Sequence, residues 1–189
     1  MHFIVLNGPP RSGKDTGTAI ITRLYTDAMV YKMSRPLKRA IPAFFDIDDA
    51  RWRQLQEQHK DIACNEFYQC TPREVQISLS EDWAKERFGV SIFGHLAVRF
   101  LSRSMTNLVV IDDAGFEQEL YPLFSKYGRS SFLLIRLYRE GCTYEGDSRS
   151  YLSPDDVTTH KYHNNHDLYI YEAFLKKVIG DKWPDRRVE

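Results

Sequence analysis

Gly8-Pro9-Pro10-Arg11-Ser12-Gly13-Lys14-Asp15-Thr16 follows directly on the apolar run Phe3-Ile4-Val5-Leu6 and carries the most readable chemistry in the chain. Its spacing is G-x-x-x-x-G-K. Two glycines let the backbone curl until successive N–H groups face phosphate oxygens, Lys14 reaches the outer phosphates, and a helix opening at Lys14 adds its positive end. A nucleotide phosphate tail is therefore the expected guest of Gly8, Arg11, Ser12, Gly13, Lys14, Asp15 and Thr16. Asp15 stands where Ser or Thr usually offers a hydroxyl to magnesium, so a carboxylate oxygen, bound directly or through water, is the expected donor there.

Other charged residues decide what such a loop is used for. Asp112 and Asp113 close the run Leu108-Val109-Val110-Ile111, the pattern of a buried parallel strand whose carboxyl end opens onto a ligand crevice. One carboxylate there is expected to serve the metal and the other to cap the next segment; Asp113 is favoured for the metal. Ser34-Arg35-Pro36-Leu37-Lys38 brings cations to a helix start, and Arg73 lies in the first turn after Pro72. An arginine fork donates two parallel hydrogen bonds to a phosphate, so Arg35, Lys38 and Arg73 are candidates for a second anion. Taken singly, each is more often a solvated surface cation. Arg136, Arg139 and Arg149 flank or occupy a polar stretch and could close onto a transferring phosphoryl group, with at least one expected to be plain surface. His160, His163 and His166 do not converge on either a strand or a helix, which argues against a metal site.

These groups need a frame. Strands are expected at 3–7, 30–33, 108–111, 132–135 and, short, around 163–165, with helices at 14–28, from Pro36, around Trp52 and Leu55, at 72–87, 91–103, 117–126 and from Leu168. Thr71-Pro72-Arg73-Glu74 is a helix start with cap, Pro and capping-box Glu in place. The alternation predicts an α/β fold of three layers, a parallel sheet of about five strands between helices. The whole of 1–189 reads as one domain with a helical acceptor-binding insertion at about 34–103 and a lid at about 138–156, where the chain is polar, glycine-containing and aperiodic. Trp52, Trp83 and Phe100 are expected in the core.

At 189 residues, 26 basic groups balance 26 acidic ones, which gives no electrostatic case for a nucleic-acid or membrane surface. No membrane span or signal segment is expected, and a cytoplasmic location is the reading. Cys64, Cys70 and Cys142 lack C-x-x-C spacing and suit free, buried thiols.

A strand, then G-x-x-R-S-G-K-D-T, then a helix closely resembles the deoxynucleoside monophosphate kinases of tailed bacteriophages, a branch of the P-loop nucleoside monophosphate kinases. Looser matches are Pro36-Leu37-Lys38, Thr71-Pro72-Arg73-Glu74 with Gln76, Asp113-x-x-Phe116-x-x-Glu119, and Asn164 or Asn165 ahead of Leu168. The resemblance implies ATP and Mg²⁺, transfer of the γ-phosphoryl group to a deoxynucleoside monophosphate, Asn164 at the nucleotide, and Ser34 and Gln76 beside Arg35, Lys38 and Arg73 at the acceptor. It also implies a viral product in the host bacterial cytoplasm, with a homodimer allowed. Where many relatives carry an Arg two places after the Asp of the third strand, this chain has Gly115, and its lid stretch Asp147-Ser148-Arg149-Ser150 lacks the His and Glu of close relatives.

A phosphorylated nucleotide acceptor, with a second pKa of about 6, presents an oxygen already anionic near neutrality, so no strong general base is needed. A Lys-, Arg- and Asp-rich set without a base–nucleophile pair agrees with that. The rivals are a P-loop kinase of another small metabolite, such as phosphomevalonate, and a nucleotide-dependent switch or binding module. The GTP form of the switch is disfavoured because no N-K-x-D string is present.

Overall fold

Leu108 to Ile111 has no polar side chain, so the segment is stable only inside a sheet covered on both faces. The computed structural model, which describes residues 1–165 and 167–186, places it there. Five parallel strands, β1 (His2–Asn7), β2 (Ala28–Val30), β3 (Leu108–Ile111), β4 (Phe132–Tyr138) and β5 (Thr158–His163), lie in the order β2-β3-β1-β4-β5. In register, Val5 stands between Ile111 and Leu134, so the ends of β1, β3 and β4 open side by side.

Strand alternation sorts the core into two layers. Ile4, Leu6, Leu108, Val110, Leu133 and Ile135 face α1 (Lys14–Leu24) and α8 (Leu168–Lys182), meeting Ile20, Ile21, Tyr171 and Leu175. Phe3, Val5, Val109, Ile111 and Leu134 face the other side, which is covered by α2 (Arg35–Phe44), α6 (Ile92–Leu101) and α7 (Tyr121–Tyr127). Between α2 and α6 the chain forms α3 (Asp49–Glu57), α4 (Pro72–Ser78), a π-helical turn (Leu79–Lys85) and the short α5 (Glu86–Phe88). The fold is thus α/β, a five-stranded parallel sheet flanked by helices. Among the described residues no helix is long and apolar enough to cross a membrane.

Several local expectations are corrected. β2 ends at Val30, because beyond Tyr31 the chain is drawn off the sheet by contacts to Asp112 and Asp113. β5 is a full six-residue strand at 158–163 with only Tyr162 buried; an edge strand this polar leaves no apolar pattern. The helix expected at 72–87 keeps its capping box, with Thr71 accepting from the Glu74 amide at 3.1 Å. It then widens into the π turn, which rotates the pattern so that Ala84 and Lys85 face inward and Trp83 is half exposed instead of buried. Phe100 is only partly buried, and its ring lies under the Arg35 guanidinium. Cys70 is exposed and Cys64 and Cys142 half-buried, all three free. His160 packs edge-on to Phe174 and His163 stacks on Tyr138, while His166 lies outside the described residues.

Candidate functional site

The loop from Gly8 to Gly13 turns through two left-handed residues, Arg11 at φ 65° and Gly13 at φ 103°. Glycine takes that conformation freely; for Arg11 it is a strained one, held by its surroundings. Arg139 reaches over to donate to the Arg11 carbonyl at 3.0 Å, and Asn164, nearly buried, donates to the Ser12 carbonyl at 2.9 Å. A methyl group at Gly13 would lie 2.2 Å from the Asn164 amide, and one at Gly8 would lie 2.7 Å from the Leu137 carbonyl, so both glycines are required by close approach. The first-turn amides of α1 have no intrahelical acceptor and open toward the concave side of the loop.

Lys14 folds back over this concavity, its ammonium 2.5 Å from the Gly8 carbonyl and 2.7 Å from that of Pro9. Burial and then the field of Arg149 lower its pKa, partly countered by Asp15, Asp112 and Asp147. Two weak carbonyl partners and a neighbouring cation leave this lysine short of negative charge, which a phosphate tail would supply.

At the end of β3 the two aspartates diverge. Asp113 accepts from the Met33 amide at 2.6 Å, the Ser34 amide at 3.0 Å and the Ser34 hydroxyl at 2.7 Å, so it clamps the entry to α2. Asp112, its side chain 1% exposed, accepts from Thr18 of α1 at 2.8 Å and has the Lys32 ammonium at 2.6 Å. Lys32 also approaches Asp15 at 3.6 Å, and the Asp15 carboxylate is 96% exposed beside the loop. Burial acts to lower the Lys32 pKa, but the Asp112 carboxylate overrides it and the net shift is upward. A cation thus sits between the carboxylates of Asp112 and Asp15, next to a threonine hydroxyl. That hard oxygen set suits magnesium, which needs only one or two carboxylates when phosphate and water complete its shell. Both Asp113 oxygens are engaged by Met33 and Ser34, whereas the Asp112 oxygens meet Thr18 and the Lys32 ammonium, a position that a divalent cation would share.

Segment 138–156 packs over the strand ends. Asn7, fully buried at the end of β1, donates to the Ala114 and Ser150 carbonyls at 3.2 and 3.1 Å, has the Tyr144 hydroxyl at 3.0 Å, and accepts from the Leu152 amide at 3.0 Å. Tyr151 stacks on Tyr138 and donates to the Leu137 carbonyl at 3.1 Å. Arg149 is aimed by a two-pronged bond to Asp147, Nε to Oδ1 at 2.9 Å and Nη2 to Oδ2 at 2.6 Å. Its stem lies across Gly115: a methyl there would fall 2.3 to 2.6 Å from three Arg149 side-chain carbons. The Asp147 bond holds the Arg149 pKa above its ordinary value, while Asp147 is lowered in turn.

A second group of cations lies within the electrostatic reach of Arg149. Arg73 is paired with Asp61, and its amide donates to the Lys60 carbonyl at 3.1 Å. Lys60 is half-buried; burial lowers its pKa, and the charges of Arg73, Lys38 and Arg149 push it further down. Lys38, Lys60, Arg73 and Arg149 therefore share one electrostatic neighbourhood, and Arg149 links it to Lys14. Lys60 had no signal in the sequence: it lies in an irregular stretch without a motif, and only folding brings it to Arg73. The contacts of Asn7 and Lys32 are long-range and leave no motif, and the pairing of Asp147 with Arg149 shows only once the segment is folded.

The remaining expected site residues make the following contacts. Arg35 turns onto the Phe100 ring, 4.0 Å from its centroid. Gln76 is buried and returns to the Pro72 carbonyl at 3.0 Å. Arg136 projects to the sheet face opposite α1, as its alternation with Leu134 requires, and its buried Nε has no partner among the described residues. Ser34 is bonded to Asp113, and Thr16 is half-buried in the first turn of α1.

No family model and no curated relative matches the chain. Among solved structures it is similar to a Chloroflexus aurantiacus chain described as a "putative kinase", with 11% identity, a TM-score of 0.48, and coverage of 96% of this chain and 97% of that one. A likeness of that order fixes neither activity nor substrate for this chain.

Proposed function

We propose that the protein is a Mg-ATP-dependent phosphotransferase whose acceptor is a deoxynucleoside monophosphate. The observation that carries the reading is the cation set: Lys14 at the phosphate loop, Arg149 beside it, and Lys38, Lys60 and Arg73 beyond. Such an array suits two phosphate groups brought end to end, because phosphoryl transfer asks mainly for alignment and charge neutralisation.

In this reading the loop amides and Lys14 hold the β and γ phosphates, with Arg139 and Asn164 keeping the loop in shape. Lys38, Lys60 and Arg73 hold the acceptor phosphate, whose oxygen attacks the γ phosphorus in line as the bond to the β,γ-bridging oxygen breaks. Arg149 stands at the junction and offsets charge on the transferring group. Asp112 and Asp15 would hold magnesium, which would supply positive charge to offset that of the phosphates. Segment 138–156 covers the junction and keeps out the water that would otherwise hydrolyse ATP.

Incubation with Mg-ATP and each deoxynucleoside monophosphate in turn, beside phosphomevalonate and a no-acceptor control, tests this. A deoxynucleoside diphosphate product is expected, and Lys14→Met should abolish it. Phosphorylation of the metabolite alone would move the substrate class, and hydrolysis without any phosphorylated acceptor would remove the kinase reading.

A further inference from the structure

On the far side of α2 lies a groove of about 750 Å³ along the β2 edge of the sheet, lined by Tyr31, Pro36 and Ala40 on one wall and Leu96, Phe100 and Ser104 on the other. Four arginines stand around it, Arg35 and Arg39 one turn apart on α2, Arg99 in the last turn of α6 and Arg103 in the turn that follows it. No acidic residue lines it. Among the described residues none of the four guanidinium groups has a carboxylate partner, although nine other lysines and arginines do. The Arg35 guanidinium lies over the Phe100 ring, 4.0 Å from its centroid, a contact that steadies it while leaving its N–H groups to other partners.

In a chain with no net charge, four unpaired arginines around one concavity repel one another unless an anion is shared between them. We infer that this groove is a binding site for a short polyphosphate chain, inorganic or carried by a nucleotide, separate from the phosphate loop. Size selects the class. Arg35 and Arg39, four apart on α2, are separated by about 6 Å along its axis, and Arg99 and Arg103 line the same groove from the other wall, so the charges gather around one small concavity and do not line the long track that a nucleic-acid backbone would need. The volume is that of a small-molecule site, and several forks facing inward suit several phosphoryl groups at once. The walls on Leu96, Ala40 and Pro36 are apolar and leave room for an organic group beyond the phosphates.

Calorimetric titration of the full chain with inorganic tripolyphosphate tests this, using Lys14→Ala to weaken the loop site. In that background one groove site should remain. Adding Arg39→Gln, Arg99→Gln and Arg103→Gln, all at exposed positions, should weaken it roughly a hundredfold, with Arg99→Gln alone costing about fivefold. ATP binding more tightly than tripolyphosphate in the Lys14→Ala chain would assign the site to a nucleotide; equal affinity would assign it to the phosphate chain alone. A wild-type stoichiometry of one that vanishes with Lys14→Ala, or unchanged affinity in the arginine variants, would overturn the inference. Because the groove variants leave the loop intact, their failure says nothing against the phosphotransferase reading.

Discussion

Gly115→Ala adds one carbon and should disable catalysis by moving a different residue. The backbone at Gly115 is outside the left-handed region, so alanine meets no conformational penalty there. What it meets is Arg149, with Cγ at 2.3 Å, Cδ at 2.4 Å and Cβ at 2.6 Å from the new methyl. Ordinary carbon contacts lie near 3.5–4.0 Å, so the arginine stem must retreat by about 1 Å. Because Cβ is among the crowded atoms, a rotamer change cannot relieve the clash, and the backbone around Ser150, whose amide donates to the Gly115 carbonyl at 3.3 Å, must shift as well. Overpacking of this kind costs about 1–3 kcal/mol of stability, which leaves a folded protein. If Arg149 faces the transferring phosphoryl group as proposed, a displacement of about 1 Å there costs about a hundredfold in rate. We expect kcat to fall by about that factor with the ATP KM little changed, measured by following nucleoside diphosphate formation. Arg149→Ala should cost as much or more, and the two changes combined should be far from multiplicative, since both act through the same guanidinium. Wild-type kcat in Gly115→Ala, or full multiplicativity in the double variant, would refute the placement of Arg149.

Lys60→Ala should raise the acceptor KM by about tenfold while leaving the ATP KM in place, the loss of one charge-assisted contact; steady-state kinetics with each substrate varied in turn would show it, and an unchanged acceptor KM would remove Lys60 from the site. Asn7→Ala leaves the Leu152 amide and two carbonyls without their partner, so urea unfolding should show a loss of about 2–4 kcal/mol and proteolysis should find segment 138–156 first. Glu119, buried against Lys85 at 3.3 Å, has its pKa pushed up to about 7 by burial. Its folded state therefore holds a proton that the unfolded chain gives up near pH 4.5, and stability should decline by about 3 kcal/mol as pH rises from 4.5 to 7. Glu119→Gln should flatten that decline in urea titrations at pH 5, 6, 7 and 8; identical slopes for the two proteins would refute the assignment.

The sequence by itself determined the glycine-rich loop and the sheet that carries it. Gly8, Gly13 and Lys14 declare themselves by spacing, and Leu108–Ile111 and Phe132–Ile135 by unbroken apolarity, because both signals are local and set by backbone geometry and burial. The π turn at Leu79–Lys85 escaped because it breaks the period that marked its helix, and edge strand β5, expected short around 163–165, runs over 158–163 because it is too polar to show where it begins. What tertiary structure alone decided is which charges meet. Asp112 and Asp113 are identical as neighbours in sequence, yet one faces Thr18 and Lys32 and the other Ser34, because the chain leaves β3 in a direction no local rule sets. Lys60 reaches Arg73, and Arg149 crosses the bare backbone of Gly115, through long-range contacts that carry no periodicity. Coulomb energy depends on distance in space, and distance in space is what a one-dimensional pattern omits.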